Sequence, residues 1–145
     1  MTTSTPQLRF LVAGGAGYIG SVVTRTLIES GHSVTILDNL SKGHRQALHE
    51  EARFVEGDIA DKGLVSAICR TGIDVAMHFA AFIEVGESVQ DPAKYYDNNV
   101  TRTLAYCNSL IDAGVDKFVF SSTAAVYGNP ESVPISESAA LKPVN

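Results

Sequence analysis

The chain has 145 residues, of which 45% are hydrophobic and 19% charged, and its formal net charge is −5. That length sets one compact domain as the prior, and the apolar content fills a core and excludes intrinsic disorder. The acidic balance argues against nonspecific nucleic-acid binding but leaves anionic small molecules open, because local backbone dipoles hold phosphate whatever the overall charge.

Residues 1–7, MTTSTPQ, are polar, lack an apolar signal core and read as a frayed tail. Leu8–Ala13 is an apolar run that predicts the first strand. A helix is expected over Tyr18–Ser30, with Ile19, Val22, Val23 and Leu27 on its buried face and Gly31 as its C-terminal cap. Ser33–Leu37 predicts a second buried strand closed by Asp38, and the polar stretch 39–51 holds a short helix. Arg53–Glu56 predicts a third strand ending at Gly57 and Asp58. Asp61 caps a helix carrying Leu64, Val65 and Ile68, which stops near Gly72. Asp74–Ala80 reads as a fourth strand. Pro92 suits the first turn of a long helix ending near Gly114, and Lys117–Ser121 reads as a fifth strand. Beyond Gly128 come three prolines without periodicity, and a loop or an unfinished element is expected.

Strands alternating with helices imply an α/β fold, a Rossmann-like doubly wound parallel sheet in the order 3-2-1-4-5. Cys69 and Cys107 form no metal-ligand spacing, so neither a metal site nor a disulfide framework is expected, and a reducing, cytoplasmic setting fits. No apolar run is long enough to span a bilayer, so no membrane partner is expected.

The stretch GGAGYIGS places Gly14, Gly17 and Gly20 three apart between the first strand and its helix. Gly14 permits the sharp turn, Gly17 leaves the backbone open to a pyrophosphate, and Gly20 lets the helix pack closely. The helix N-terminus then offers unsatisfied N–H groups to the phosphates. Asp38 stands eighteen residues after Gly20, at the end of the second strand, where an acid accepts hydrogen bonds from an adenosine ribose; the plainer reading is a glycine-rich turn with a surface Asp. Its carboxylate repels the extra phosphate of NADP. Lys42 and Arg45 soften that repulsion, and NAD is the favoured cofactor. Asp58 is a candidate acceptor for the adenine amino group, with a turn or helix-entry residue as the plainer reading.

Seven segments, GGAGYIGS, DNLSKGH, GDI, HFAA, VGESV, YYDNNV and FSSTAAVYG, resemble the extended short-chain dehydrogenase/reductases of the NAD-dependent epimerase/dehydratase family. VGESV with YYDNNV narrows the likeness to its epimerases. The resemblance runs from about Leu8 onward. It implies an NAD-bound enzyme that interconverts UDP-glucose and UDP-galactose by transient oxidation at the sugar C4. A tyrosine takes the proton of the 4-hydroxyl, a lysine four residues later lowers the tyrosine's pKa, and a serine or threonine bonds the C4 oxygen.

Carried across by motif, the catalytic hydroxyl is Thr123. The cofactor side takes Tyr18 and Ile19 through their backbone, Asn39 beside Asp38, Ile59 beside Asp58, then Phe79, Ala80, Ala81 and Asn98. Ser121 and Ser122 complete the set, with structural hydroxyls as the plainer reading. For the alanines that reading is tight strand-end packing, and for Asn98 a solvated helix position. A homodimer is implied, built through a helix bundle to which the long helix around 92–113 contributes.

Two departures follow. Ile83 stands where some relatives place a lysine. No tyrosine of this chain has a lysine four positions on, and Pro143-Val144-Asn145 resembles the residues just before the expected tyrosine. Residues 8–145 are therefore expected to form an NAD-binding domain truncated before its last strands, without the UDP-sugar domain and catalytically incomplete alone. Phe118 and Phe120 are expected to lack cover on one side, which favours self-association. A 4,6-dehydratase needs an acid pair where this chain has Ala124 and Ala125. A uronate epimerase, a decarboxylase or an NAD-binding module without catalysis stays open.

Overall fold

The structure, a computed structural model, describes residues 6–144; most of the expected tail, residues 1–5, and Asn145 lie outside them. Among these residues the chain alternates β1 (Arg9–Ala13), α1 (Tyr18–Glu29), β2 (Ser33–Asp38), β3 (Arg53–Glu56), α2 (Lys62–Cys69), β4 (Val75–His78), α3 (Val85–Gln90), α4 (Pro92–Tyr96), α5 (Arg102–Asp112) and β5 (Phe118–Phe120). Short 3-10 turns cover Arg45–Ala47 and Ala124–Tyr127. The sheet order is β3-β2-β1-β4-β5, and every pairing is parallel. The expected fold class and strand order are both present.

The period-two alternation of β1 explains the two-layer core. Phe10 and Val12 face one side with Val34, Ile36 and Val75, where Leu27 and Ile28 of α1 cover them. Leu11 and Ala13 face the other side with Leu37 and Ala76, under Val65 and Ile68 of α2 and Tyr106 and Leu110 of α5. Helices thus seal both faces of β1, and its carboxyl end is left as the place where a ligand can reach the sheet.

The Asp61 side chain accepts from Leu64 N at 2.9 Å and starts α2 as expected. The expected face of α1 is corrected. Ile19 and Val22 are exposed, whereas Gly20 and Thr24 are the fully buried positions. Small residues bring the first turns of this helix onto the sheet, so Ile19 and Val22 fall to its flank, whereas Leu27 packs against the core as expected.

The expected long helix also changes. Pro92 does occupy the first turn, but residues 97–101 form a π-helical turn between α4 and α5. Upstream, α3 adds a short helix that the sequence reading missed; its residues are largely exposed, so no apolar stripe announces it.

His78 ends β4 with only 2% of its surface exposed, and Thr103 Oγ1 lies 3.1 Å from its Nε2. Burial holds the imidazole pKa below its ordinary value. The unfolded chain therefore takes up a proton that the folded chain resists, and stability falls as pH drops below about 6.5. His78→Gln, which keeps a polar group near Thr103 and cannot titrate, is expected to flatten that fall in urea denaturation measured across pH. An unchanged pH profile would contradict this assignment. Beside His78, β5 pairs on one side only among the described residues, and Phe118 and Phe120 remain 39% and 54% exposed.

Candidate functional site: the carboxyl edge of the sheet

The candidate site begins where β1 gives way to α1. Gly14 has φ +80°, a left-handed conformation that an L side chain pays for, and its N–H donates to Leu37 O at 2.9 Å. A Cβ at Gly14 would lie 2.6 Å from the backbone of Phe79 and Ala80. One at Gly20 would lie 2.2 Å from Gly14 O. The turn, the first turn of α1 and the segment after β4 are therefore one close-packed unit made of bare backbone.

Gly17 is the N-cap of α1, and no side chain caps it. The first intrahelical bond runs from Ser21 N to Gly17 O, so the N–H groups of Tyr18, Ile19 and Gly20 have no partner within the helix. Together with the helix dipole they form a candidate site that can hold an anion such as a phosphate. The side chains of Tyr18 and Ile19 are exposed, which leaves their backbone as the part facing that site.

Asp38 stands at the end of β2, 8% exposed. Its carboxylate accepts from Ala16 N at 2.9 Å and from Leu40 N at 2.8 Å. It thereby staples the glycine turn to the next strand and holds Leu40 at φ 57°, a conformation unfavourable for leucine. Each oxygen keeps a lone pair for a further donor. Neither the ligand role nor the plainer surface position expected for Asp38 implies this buried structural role.

At the end of β3, Asp58 accepts from Ala60 N at 2.9 Å, Asn39 Nδ2 at 3.2 Å and Arg102 Nη1 at 2.6 Å. Burial pushes the Asp58 carboxyl up, but the bonds from Ala60, Asn39 and Arg102 together outweigh it, so its pKa lies below the ordinary carboxylate value. The side chain of Ile59 belongs to the core beside Leu11 and Leu37, so only its backbone faces outward.

After β4, Phe79 N donates to Ala13 O at 2.8 Å and continues the edge. Ala81 is exposed. Asn99 grips the peptide of Phe82 twice, accepting from Phe82 N and donating to Phe82 O, each at 2.9 Å. Asn98 is half-buried, not solvated, and donates to Asn99 Oδ1 at 2.8 Å. Both asparagines sit in the π-helical turn.

Ser121 N continues the ladder to His78 O at 3.2 Å, and Ser122 is exposed. Thr123 caps the second 3-10 turn, its Oγ1 accepting from Ala125 N at 3.1 Å. That leaves its hydroxyl proton free to donate, the function a group binding a substrate oxygen needs.

The structure thus gathers Gly14, Gly20, Phe79 and Ala80 into one contact and links Asn39 to Asp58. It does not join Thr123 to the glycine turn directly, since β4 lies between their strands. A cavity of 330 Å³ lies elsewhere, against Ser21, Arg25 and the 3-10 turn after β2, and none of the expected site residues lines it. The sequence reading missed Asn99 and Arg102. The YYDNNV motif contains the first, whereas no local signal marks a partner for Asp58 forty-four residues away.

Among known proteins, the UDP-glucose 4-epimerase of Streptomyces lividans is 50% identical over 139 residues, covering 94% of this chain and 42% of that protein. That of Lactobacillus helveticus is 50% identical over 139 residues, covering 95% of this chain and 42% of that protein. The chain thus spans less than half the length of the curated relatives it matches.

Among solved structures, UDP-glucose 4-epimerase from Brucella ovis in complex with NAD superposes with a TM-score of 0.88. It is 41% identical, over 95% of this chain and 42% of that one. The enzyme from Bifidobacterium longum in complex with NAD+ and UDP gives a TM-score of 0.84 at 34% identity, over 92% of this chain and 42% of that one. The model of the NAD dependent epimerase/dehydratase family matches residues 10–145, and the chain belongs to that family.

Proposed function

We propose that this chain is the NAD-binding part of a UDP-glucose/UDP-galactose 4-epimerase. The observation that carries the reading is the uncapped α1 N-terminus, pressed against Gly14 so closely that no Cβ fits between them. A pyrophosphate matches that cradle in charge and in its need for bare backbone. Asp38 then takes the adenosine ribose, which favours NAD over NADP, and Asp58 takes the adenine. Phe79, Ala80, Ala81, Asn98, Ser121 and Ser122 line the way toward the nicotinamide. Bound there, NAD supplies reversible hydride transfer at the sugar C4.

The role of this chain in that exchange is to hold and orient. Thr123 donates a hydrogen bond from its free hydroxyl to the C4 oxygen and fixes it near the cofactor. The proton of the 4-hydroxyl needs a base, and no tyrosine here has the lysine four positions on that would lower its pKa. Ala124 and Ala125 move no protons, which supports epimerisation over 4,6-dehydration. Tyr96, Val100, Leu104 and Ile111 stand exposed along α4 to α5 and fit the helix bundle of a homodimer. No helix of the described residues is long and apolar enough to cross a membrane.

The 145-residue chain mixed with NAD and UDP-galactose is expected to give no UDP-glucose above background. Joined to the remaining carboxyl-terminal part of the Streptomyces lividans relative, it is expected to give turnover. Thr123→Val in that fusion is expected to lower kcat about a hundredfold. A folded, NAD-loaded fusion without turnover, or turnover by the chain alone, would contradict the proposal.

A further inference from the structure

We propose that Arg102 is a positioning residue for adenine recognition, holding Asp58 so that one carboxylate lone pair is aimed at an exocyclic amino group. This inference rests on the NAD-binding reading given above. Arg102 Nη1 reaches Asp58 Oδ2 at 2.6 Å, and Arg102 Nε reaches Asp97 Oδ2 at 2.9 Å. The planar guanidinium spans two carboxylates, a geometry that fixes both partners.

The π-helical turn makes this possible. In an α-helix, residues five apart point about 140° away from each other. Here the Arg102 N–H bonds to Asp97 O, five residues back, which brings the two side chains onto one face. The turn therefore delivers a clamped guanidinium to the end of β3.

The count of lone pairs then decides what Asp58 can recognise. Two donors, Arg102 and Asn39, fill Oδ2, and Ala60 N takes one place on Oδ1. A carboxylate offers about four acceptor sites, so about one remains, on Oδ1. An amino group of a base satisfies it. A carbonyl at the same ring position meets a negative lone pair and is repelled. Adenine is selected over hypoxanthine, and Arg102 fixes which oxygen makes the selection. It also helps keep the carboxyl ionised.

The test uses the whole chain and two probes, NAD and nicotinamide hypoxanthine dinucleotide, titrated calorimetrically into wild type, Arg102→Met and Asp58→Asn. Arg102→Met is expected to reduce the preference for adenine about tenfold, with Asp58→Asn reducing it similarly. In the ligand-free chain, the Asp58 carboxyl followed by NMR is expected to titrate closer to its ordinary value in Arg102→Met. Equal weakening of both dinucleotides, as a purely structural role would give, overturns the inference. So does an unchanged preference or an unchanged Asp58 titration. Failure of the wild-type chain to bind either dinucleotide would instead refute the NAD-binding reading, and the titration would still decide whether Arg102 governs Asp58.

Discussion

Gly20→Ala is expected to lower NAD affinity at least about a hundredfold and to destabilise the chain by about 1–3 kcal/mol, the usual cost of forcing atoms into a packed site. The added Cβ would stand 2.2 Å from Gly14 O and 2.8 Å from Gly15 Cα. Both are backbone atoms, so no flexible side chain can move aside. Relief comes only by lifting α1 off the glycine turn, which displaces the N–H groups of Tyr18, Ile19 and Gly20 from a shared focus. Gly31→Ala is the matched comparison. Gly31 has φ +85° but nothing within 4 Å of its added Cβ, so its cost is one of backbone strain far from the site. It is expected to lose about 1 kcal/mol and keep its NAD affinity. Urea denaturation with calorimetric NAD titration separates the two, and wild-type affinity in Gly20→Ala would contradict the packing argument.

Asp38→Ala is expected to cut NAD affinity at least about tenfold and to cost about 1–3 kcal/mol of stability, because it strands buried donors. Ala16 N and Leu40 N both lose their acceptor, and Leu40 loses the bond that offsets its left-handed backbone. Asp38→Asn separates the two roles. It keeps a side-chain oxygen for one of those donors but removes the negative charge. Its stability is expected to fall less than that of the alanine variant, while its preference for NAD over NADP shrinks. Affinities for the two cofactors, measured in all three chains, check this. An undiminished preference for NAD in Asp38→Asn would show that the charge does not discriminate.

The strands were legible because each is a short apolar run bounded by a polar or glycine break, and their order followed from the right-handed crossovers that parallel neighbours require. The glycine turn was legible for the same reason in reverse: only the absence of side chains explains three glycines there. What escaped the sequence shares a different cause. Ile19 and Val22 looked like core because apolar identity was read without size, whereas Gly20 and Thr24 make the contact through smallness. The π-helical turn at 97–101 carries no glycine or proline to announce it. Arg102 reads as a solvated helix charge until the fold brings Asp58 to it. The clamp of Asn99 on Phe82 is likewise a tertiary fact, since neither residue's neighbours imply the other. A turn built from bare backbone can be read from a motif; side-chain partners far apart in sequence cannot.

In the proposed NAD complex, phosphate oxygens meet the first-turn amides of α1. The most direct measurement is the amide NMR spectrum of this chain, recorded as NAD is added. The N–H signals of Tyr18, Ile19 and Gly20 are expected to show the largest saturable shifts, and inorganic pyrophosphate is expected to move the same three signals more weakly. Saturable NAD binding that leaves those three amides unmoved, or no binding at all, would contradict it.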